Sequence, residues 1–147
     1  RVYVSHKNTR QKTSRLNLLA YQESLVGISE IRSWQILKNS LTELQKELDL
    51  YFRSTNSVIG FGACATGTVF QRYFNIEDRI EFLVDDNTKR QCLYSPSYGI
   101  PVKSPDILDK NSNILILAWR HWNSIKPKIV SNALIPLPSA QNYYPSK

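Results

Sequence analysis

Apolar positions in the amino-terminal part of the chain recur every three or four residues, whereas beyond Ser57 they gather into short unbroken runs. In the first regime, Leu16, Leu19 and Ala20 keep helical spacing behind Thr13 or Ser14 as a capping residue, and Gly27 closes this segment of residues 14–26. Ser29 opens a longer helix in which Ile31, Trp34, Leu37, Leu41, Leu44, Leu48 and Tyr51 form one apolar stripe, the pattern of a helix laid on a packing partner. Residues 1–6 alternate Val2 and Val4 with polar neighbours, as a short strand does, and residues 7–13 form a polar, basic loop.

After Ser57 the runs predict strands at residues 57–61, 80–84, 100–102, 114–118 and 133–137, with helices at 65–74, 105–108 and 122–130. Strands alternating with helical or loop segments make parallel βαβ units. The expected fold class is therefore α/β: a Rossmann-like parallel sheet flanked by helices, preceded by a short strand and a long amphipathic helix. One domain is expected over residues 1–147, with 1–56 as helical lead-in, 57–138 as the βαβ layer and 139–147 as a tail, frayed from residue 141.

Composition narrows what such a domain does. At 147 residues the chain holds one sizeable core but not two separate ligand-binding domains together. Its 41% hydrophobic and 21% charged content excludes disordered and fibrous classes. The apolar stretch at 114–119 is far below the roughly 20 residues that span a bilayer, and no signal peptide is visible, so a cytoplasmic protein without membrane contact is expected. Cys64 and Cys92 lack zinc-site spacing and no metal is expected. The net charge of +7 is concentrated at the two ends: Arg1, Lys7, Arg10, Lys12 and Arg15 precede the first acid, and no acid follows Asp109. No recognition helix, RNA-binding aromatic motif or dense Lys/Arg run accompanies it, which argues against nucleic acid and leaves a small anionic ligand or plain solvation.

The sharpest local signal is GFGACATG at residues 60–67, placed where a buried strand runs into a helix. It satisfies GxGxxA: Gly60 permits a tight turn, Gly62 lets the backbone approach an anion, and Ala65 lets the helix pack closely. Free N–H groups at that helix end, near the Thr66 and Thr68 hydroxyls, suit a phosphate. The second strand ends in Asp85 and Asp86, about 20–25 residues further on, where a ribose-binding acid belongs. The plain alternative is a tight strand-to-helix connection with ordinary strand-end aspartates.

Five segments in order, GFGACATGT (60–68), VDDNTKRQ (84–91), GIPVKSP (99–105), LAWR (117–120) and IPLP (135–138), resemble the C-terminal domain shared by S-adenosylmethionine-dependent sugar C-methyltransferases. The similarity spans nearly the whole chain, and RVYVSH resembles the strand that follows a His-Gly-Gly-Ser segment in that family. Departures fall at Cys64 and Thr66, for the family's Pro and Lys, at Thr68 and Arg120, each for Asn, and at Cys92, where a Gly follows the KQ pair. The resemblance implies a nucleoside-diphosphate keto-sugar as partner, and an upstream methyltransferase domain that binds the cofactor S-adenosylmethionine and carries the Tyr/Glu/His catalytic residues. There a base would remove the proton beside the ketone and the enediolate would attack the donor methyl. This chain would carry no catalytic residue of its own and would clamp and orient the sugar.

Candidate substrate contacts stand where the strands end: Gly60, Gly62, Ala63 and Gly67 in the turn, Asp85 and Lys89 after the second strand, and Trp119, Arg120 and His121 after the fourth. Arg120 and Lys89 suit a diphosphate, Asp85 a hydroxyl pair and Trp119 a base or sugar face. Two other classes stay open. One is a free-standing nucleotide- or NAD-binding module, against which stand the missing second nucleotide half and the missing hydride-transfer pair. The other is an interaction domain whose long helix serves assembly.

Overall fold

The structure, a computed structural model, describes residues 4, 6, 7, 9–96 and 98–145. The strand expected at residues 1–6 rests on Val2 and its neighbours and lies outside the described residues. The chain forms two compact units, residues 1–42 and 43–147.

The first unit is helical. Helix α1, Ser14–Leu25, starts where the Thr13 hydroxyl accepts the Leu16 N–H at 3.2 Å. It stops at Gly27, whose φ of +62° suits glycine and turns the chain so that the Gly27 and Ile28 amides reach the carbonyls of Ser24 and Glu23. Helix α2, Ile31–Arg53, begins in this unit and ends in the second. Its buried side chains are Leu44, Leu48 and Phe52, one per turn, with Tyr51 half-buried. The predicted stripe is thus buried only from Leu44 onward, and Phe52 replaces Tyr51 at its carboxyl end.

The second unit carries the sheet. In chain order come β1 (Val58–Phe61), helix α3 (Ala65–Phe74), β2 (Ile80–Val84), β3 (Val102–Lys103), β4 (Ile114–Ile116), helix α4 (Trp122–Ile125), β5 (Ala133–Ile135) and β6 (Gln141–Tyr143). The strand order is β3-β2-β1-β4-β5-β6. All neighbours are parallel except β5 and β6, so the sheet is mixed but mostly parallel. The chain steps outward from β1 to β3 and returns to the other side of β1, which puts the topological switch between β1 and β4. Because both faces of the inner strands are covered, β1 and β4 read as continuous apolar runs instead of alternating ones. On one face Ile59, Phe61, Phe82, Val84, Ile114 and Ile116 pack with Ile125 and Ile129 from the α4 segment. Each such fully buried side chain contributes about 1.5–3 kcal/mol.

Local chemistry moves several predicted boundaries. The helix expected at 122–130 is α4 followed by a 3-10 turn at Lys126–Lys128, because Pro127 has no N–H to continue the ladder. The helix at 105–108 is a 3-10 turn, Pro105–Ile107, capped by Ser104. The strand at 100–102 is centred later, on β3. The strand at 114–118 stops at Ile116 and leads into a 3-10 turn at Trp119–His121, and the strand at 133–137 stops at Ile135, ahead of Pro136 and Pro138. Residues 141–143 are not frayed: they form β6, paired from Ala133↔Tyr143 to Ile135↔Gln141, with the Tyr143 ring edge-on to Trp122 at 5.1 Å. Among the described residues no helix is long and apolar enough to cross a membrane, and no group of three or more His, Cys, Asp or Glu is placed to hold a metal ion.

Candidate functional site

The carboxyl ends of β1, β2 and β4 meet around the glycine turn. The Phe61 carbonyl accepts the N–H groups of Leu117 and Ala118 at 2.9 and 3.0 Å, and the Gly62 N–H donates to the Val84 carbonyl at 2.8 Å. The strand end is therefore clamped from both sides. A Cβ at Gly60 would lie 2.6 Å from Leu83 Cδ2 and 2.8 Å from Leu117 Cδ1, so a side chain there has no room. Gly62 has φ +111°, and a Cβ there would lie 2.5 Å from the Ala118 Cβ. At Gly67 a Cβ would stand 3.0 Å from Leu117 Cβ and 3.2 Å from the Gly62 carbonyl oxygen. All three glycines answer to close packing within the chain; for Gly62 the close neighbour is Ala118, two residues beyond β4.

Helix α3 opens at Cys64, whose Sγ accepts the Gly67 N–H at 3.4 Å, while its carbonyl accepts the Thr68 N–H at 3.0 Å. The amides of Cys64, Ala65 and Thr66 donate to no group among the described residues. These open donors stand at the positive end of the helix dipole, the arrangement that holds an anion.

Asp85 is buried, at 7% exposure, and organises the loop after β2. Its Oδ2 accepts the Ala63 N–H at 2.8 Å and Arg90 Nη1 at 3.1 Å, and its Oδ1 accepts the Asn87 N–H at 2.9 Å. Its carbonyl accepts Gln91 Nε2 at 2.9 Å. The Asn87 side chain in turn accepts the Lys89 N–H at 3.1 Å, and with that turn Arg90 is drawn to Asp85 while Lys89 stays exposed. A cavity of about 150 Å³ lies beside the turn, bounded by Ala63, Thr68, Arg90, Tyr94 and Ser95 over Leu83 and Val102. Ligand pockets that enclose a whole drug-sized molecule run to about 300–1,000 Å³, so this one suits a single small group of a ligand.

After β4, Trp119 is half-buried with its ring 5.4 Å from Phe70 of α3. Arg120 and His121 are exposed on the same 3-10 turn, and Arg120 has no ion-pair partner among the described residues. Of the residues singled out from sequence, Gly60, Gly62, Ala63, Gly67 and Asp85 thus form one bonded cluster, Trp119 packs beside it on α3, and Lys89, Arg120 and His121 stand free of it on the same sheet edge. Arg90, Tyr94 and Ser95 line the cavity without having been singled out.

A family model described as the C-methyltransferase C-terminal domain matches residues 1–132. The chain belongs to that family. No curated protein matches it. The matched span of this C-methyltransferase C-terminal domain includes the glycine turn, the Asp85 loop and the Trp119–His121 turn, and ends before β5 and β6.

The fit of a nucleotide cofactor to the domain can be judged at Asp85. A dinucleotide or a methyl donor held in Rossmann fashion needs the acid after β2 to accept both ribose hydroxyls. Here both carboxylate oxygens already serve Ala63, Asn87 and Arg90, and Gly62 faces Ala118 at the switch point. The turn does not fit a ribose bound in that way. Elsewhere in the unit, Tyr51 of α2 donates to the Ile114 carbonyl at 3.1 Å, and burial pushes its hydroxyl well above the ordinary tyrosine range, which keeps it a donor.

Proposed function

We propose that this domain holds a nucleoside-diphosphate keto-sugar while an upstream domain of the same cytoplasmic enzyme supplies the methyl group of S-adenosylmethionine. The observation that carries the proposal is the set of open amides at Cys64, Ala65 and Thr66 next to an arginine that is itself held in place. Arg90 gives one N–H to Asp85 and its side chain remains 46% exposed, which leaves donors of its planar fork for a phosphate. Asp85 is then a positioning residue for Arg90 and for the Ala63 amide. Lys89 and Arg120, exposed on the same edge, add positive charge for the second phosphate, His121 stands beside them, and the half-buried Trp119 ring packs against the sugar or base. The small cavity takes one group of the ligand, and water is excluded from the rest when the upstream domain closes over this edge.

Thermal unfolding of the chain with a series of nucleoside diphosphates, their sugars and nicotinamide dinucleotides tests this. Stabilisation follows RT ln(1 + [L]/Kd), about 2.7 kcal/mol at a hundredfold excess over Kd. The nucleotide sugars are expected to stabilise, Arg90→Ala to abolish most of the shift, and the nicotinamide dinucleotides to have no effect. A saturating series that leaves the melting temperature unchanged overturns the substrate-holding role.

A further inference from the structure

We infer that the helical unit of residues 4–42 is the docking surface for the upstream part of the methyltransferase polypeptide, a partner presenting an apolar patch rimmed with carboxylates. The inference rests on the proposal that an upstream domain exists. No described residue before Leu44 is buried. Helix α1 has 12 residues and no buried side chain, yet helices below about 12–15 residues are marginal in water and owe their stability to packing. Its caps are in place at Thr13 and Gly27, so what α1 lacks is a surface to lie on.

The apolar side chains left in solvent are large. Leu25 is 67% exposed, Ile31 77% and Trp34 61%. More than half of the large apolar side chains exposed among the described residues fall in this unit, whereas those of the sheet unit are scattered. On α2, Ile31, Trp34 and Leu37 continue the stripe whose lower part, Leu44, Leu48 and Phe52, is already core. One helix face thus runs from a covered into an uncovered stretch.

The chemistry of the cover can be read from two further features. On α1, Leu16, Leu18, Leu19, Tyr21 and Leu25 are all exposed, and at 100° per residue they spread over more than half of the helix circumference. A helix lying on a membrane confines its apolar residues to one face, so enclosure by a folded partner is indicated. The charges point the same way. Lys7, Arg10, Lys12 and Arg15 cluster at the amino end of α1, no acid stands in its first turn, and the first acid of the chain is Glu23. Positive charge at that end opposes the helix dipole, so it does not serve the helix and instead suits carboxylates across an interface. A second copy of this unit would bring the same positive charge. In a C-terminal domain the unit also comes first along the chain, and tethering presents the upstream polypeptide at high effective concentration.

Hydrogen exchange read by mass spectrometry, on the 147-residue chain and on the whole methyltransferase polypeptide, decides the matter. Peptides from α1 and residues 31–37 are expected to exchange about tenfold or more slowly in the whole polypeptide, with β1 and β4 unchanged. Trp34→Asp is expected to remove that protection, and the exposed charge reversal Arg15→Glu to weaken it while β1 stays protected. Equal exchange in both forms overturns the inference, as does protection that requires a higher concentration of the isolated chain or anionic vesicles. Sugar binding is scored separately: protected helices without sugar binding sink only the substrate proposal, and a reading frame with nothing upstream sinks this inference and leaves sugar binding testable.

Discussion

The carboxylate of Asp85 accepts the backbone N–H of Ala63 at 2.8 Å, so the residue that ends β2 holds the turn that leaves β1. The same side chain fixes Arg90 and the Asn87 amide. In a nucleotide-binding fold this acid faces ligand hydroxyls; here it faces inward and braces the anion-binding elements. Its effect on a ligand is exerted through the guanidinium and the amides that it orients.

Replacing Asp85 by alanine leaves the part-buried Ala63 N–H without an acceptor and frees Arg90. A loss of about 1–2 kcal/mol is expected, because an orphaned buried donor costs about 1–3 kcal/mol, the Ala63 and Asn87 amides are only part-buried, and the Arg90 pair, half-exposed, adds little. Asp85→Asn keeps one acceptor and is expected to lose about half as much. Urea unfolding measures both, and a neutral Asp85→Ala variant would show that the bonds from Asp85 to Ala63 and Asn87 contribute nothing to stability.

Gly62 combines a φ of +111° with a Cβ position 2.5 Å from the Ala118 Cβ. Gly62→Ala therefore meets a backbone penalty of about 1–3 kcal/mol and a steric one of similar size. A double-mutant cycle isolates the Cβ contact: Ala118→Gly in the Gly62→Ala background is expected to recover part of the loss, leaving the dihedral penalty and the approach to the residue 118 backbone N at 2.9 Å. No recovery would locate the cost in the dihedral angle and the approach to the backbone of residue 118.

The parts of this fold legible in the sequence are those with strong periodic or punctuated signals. Runs such as Ile114–Ile116 stand as strands because burial on both faces makes them uniformly apolar, and Ala65–Phe74 is framed by a small-residue turn before it and Asn75 after it. By contrast, β6 reads Gln-Asn-Tyr; it is added by backbone pairing on an edge and has no apolar pattern to announce it. The stripe on α2 announced a buried face, but periodicity records which side of a helix is apolar and not how far its cover extends. At the site, Lys89 and Arg90 are equivalent in sequence; the turn made by the Asn87 side chain selects Arg90 for Asp85. Asp86, paired in sequence with Asp85, instead meets Lys128 at 2.7 Å on the surface.

Cys92 occupies the left-handed region at φ +62°. A side chain in that conformation costs about 1–2 kcal/mol, partly offset by the greater chain entropy of glycine. Cys92→Gly is expected to stabilise the domain by about 0.5–1 kcal/mol and Cys92→Val to destabilise it. Cys92 is exposed and its N–H still reaches the Val102 carbonyl at 2.9 Å, so calorimetric melting reads the backbone term with little else changed.

Strand β6 covers the edge of β5, and Tyr143 fastens it. Its ring lies edge-on to Trp122 at 5.1 Å, and Lys126 Nζ is 5.6 Å from the ring centre. Tyr143→Ala removes an aromatic pair and a partly buried ring, for an expected loss of about 1–2 kcal/mol. Tyr144→Ala, next to it but 67% exposed, is expected to change stability by less than about 0.5 kcal/mol. Deleting residues 139–147 uncovers the unpaired N–H and C=O groups of β5, which is buried along its length, and such an edge pairs with any strand that it meets. The truncated chain is expected to melt lower and to form concentration-dependent oligomers in light scattering; a monomer of unchanged stability would mean that β6 neither protects nor supports the sheet.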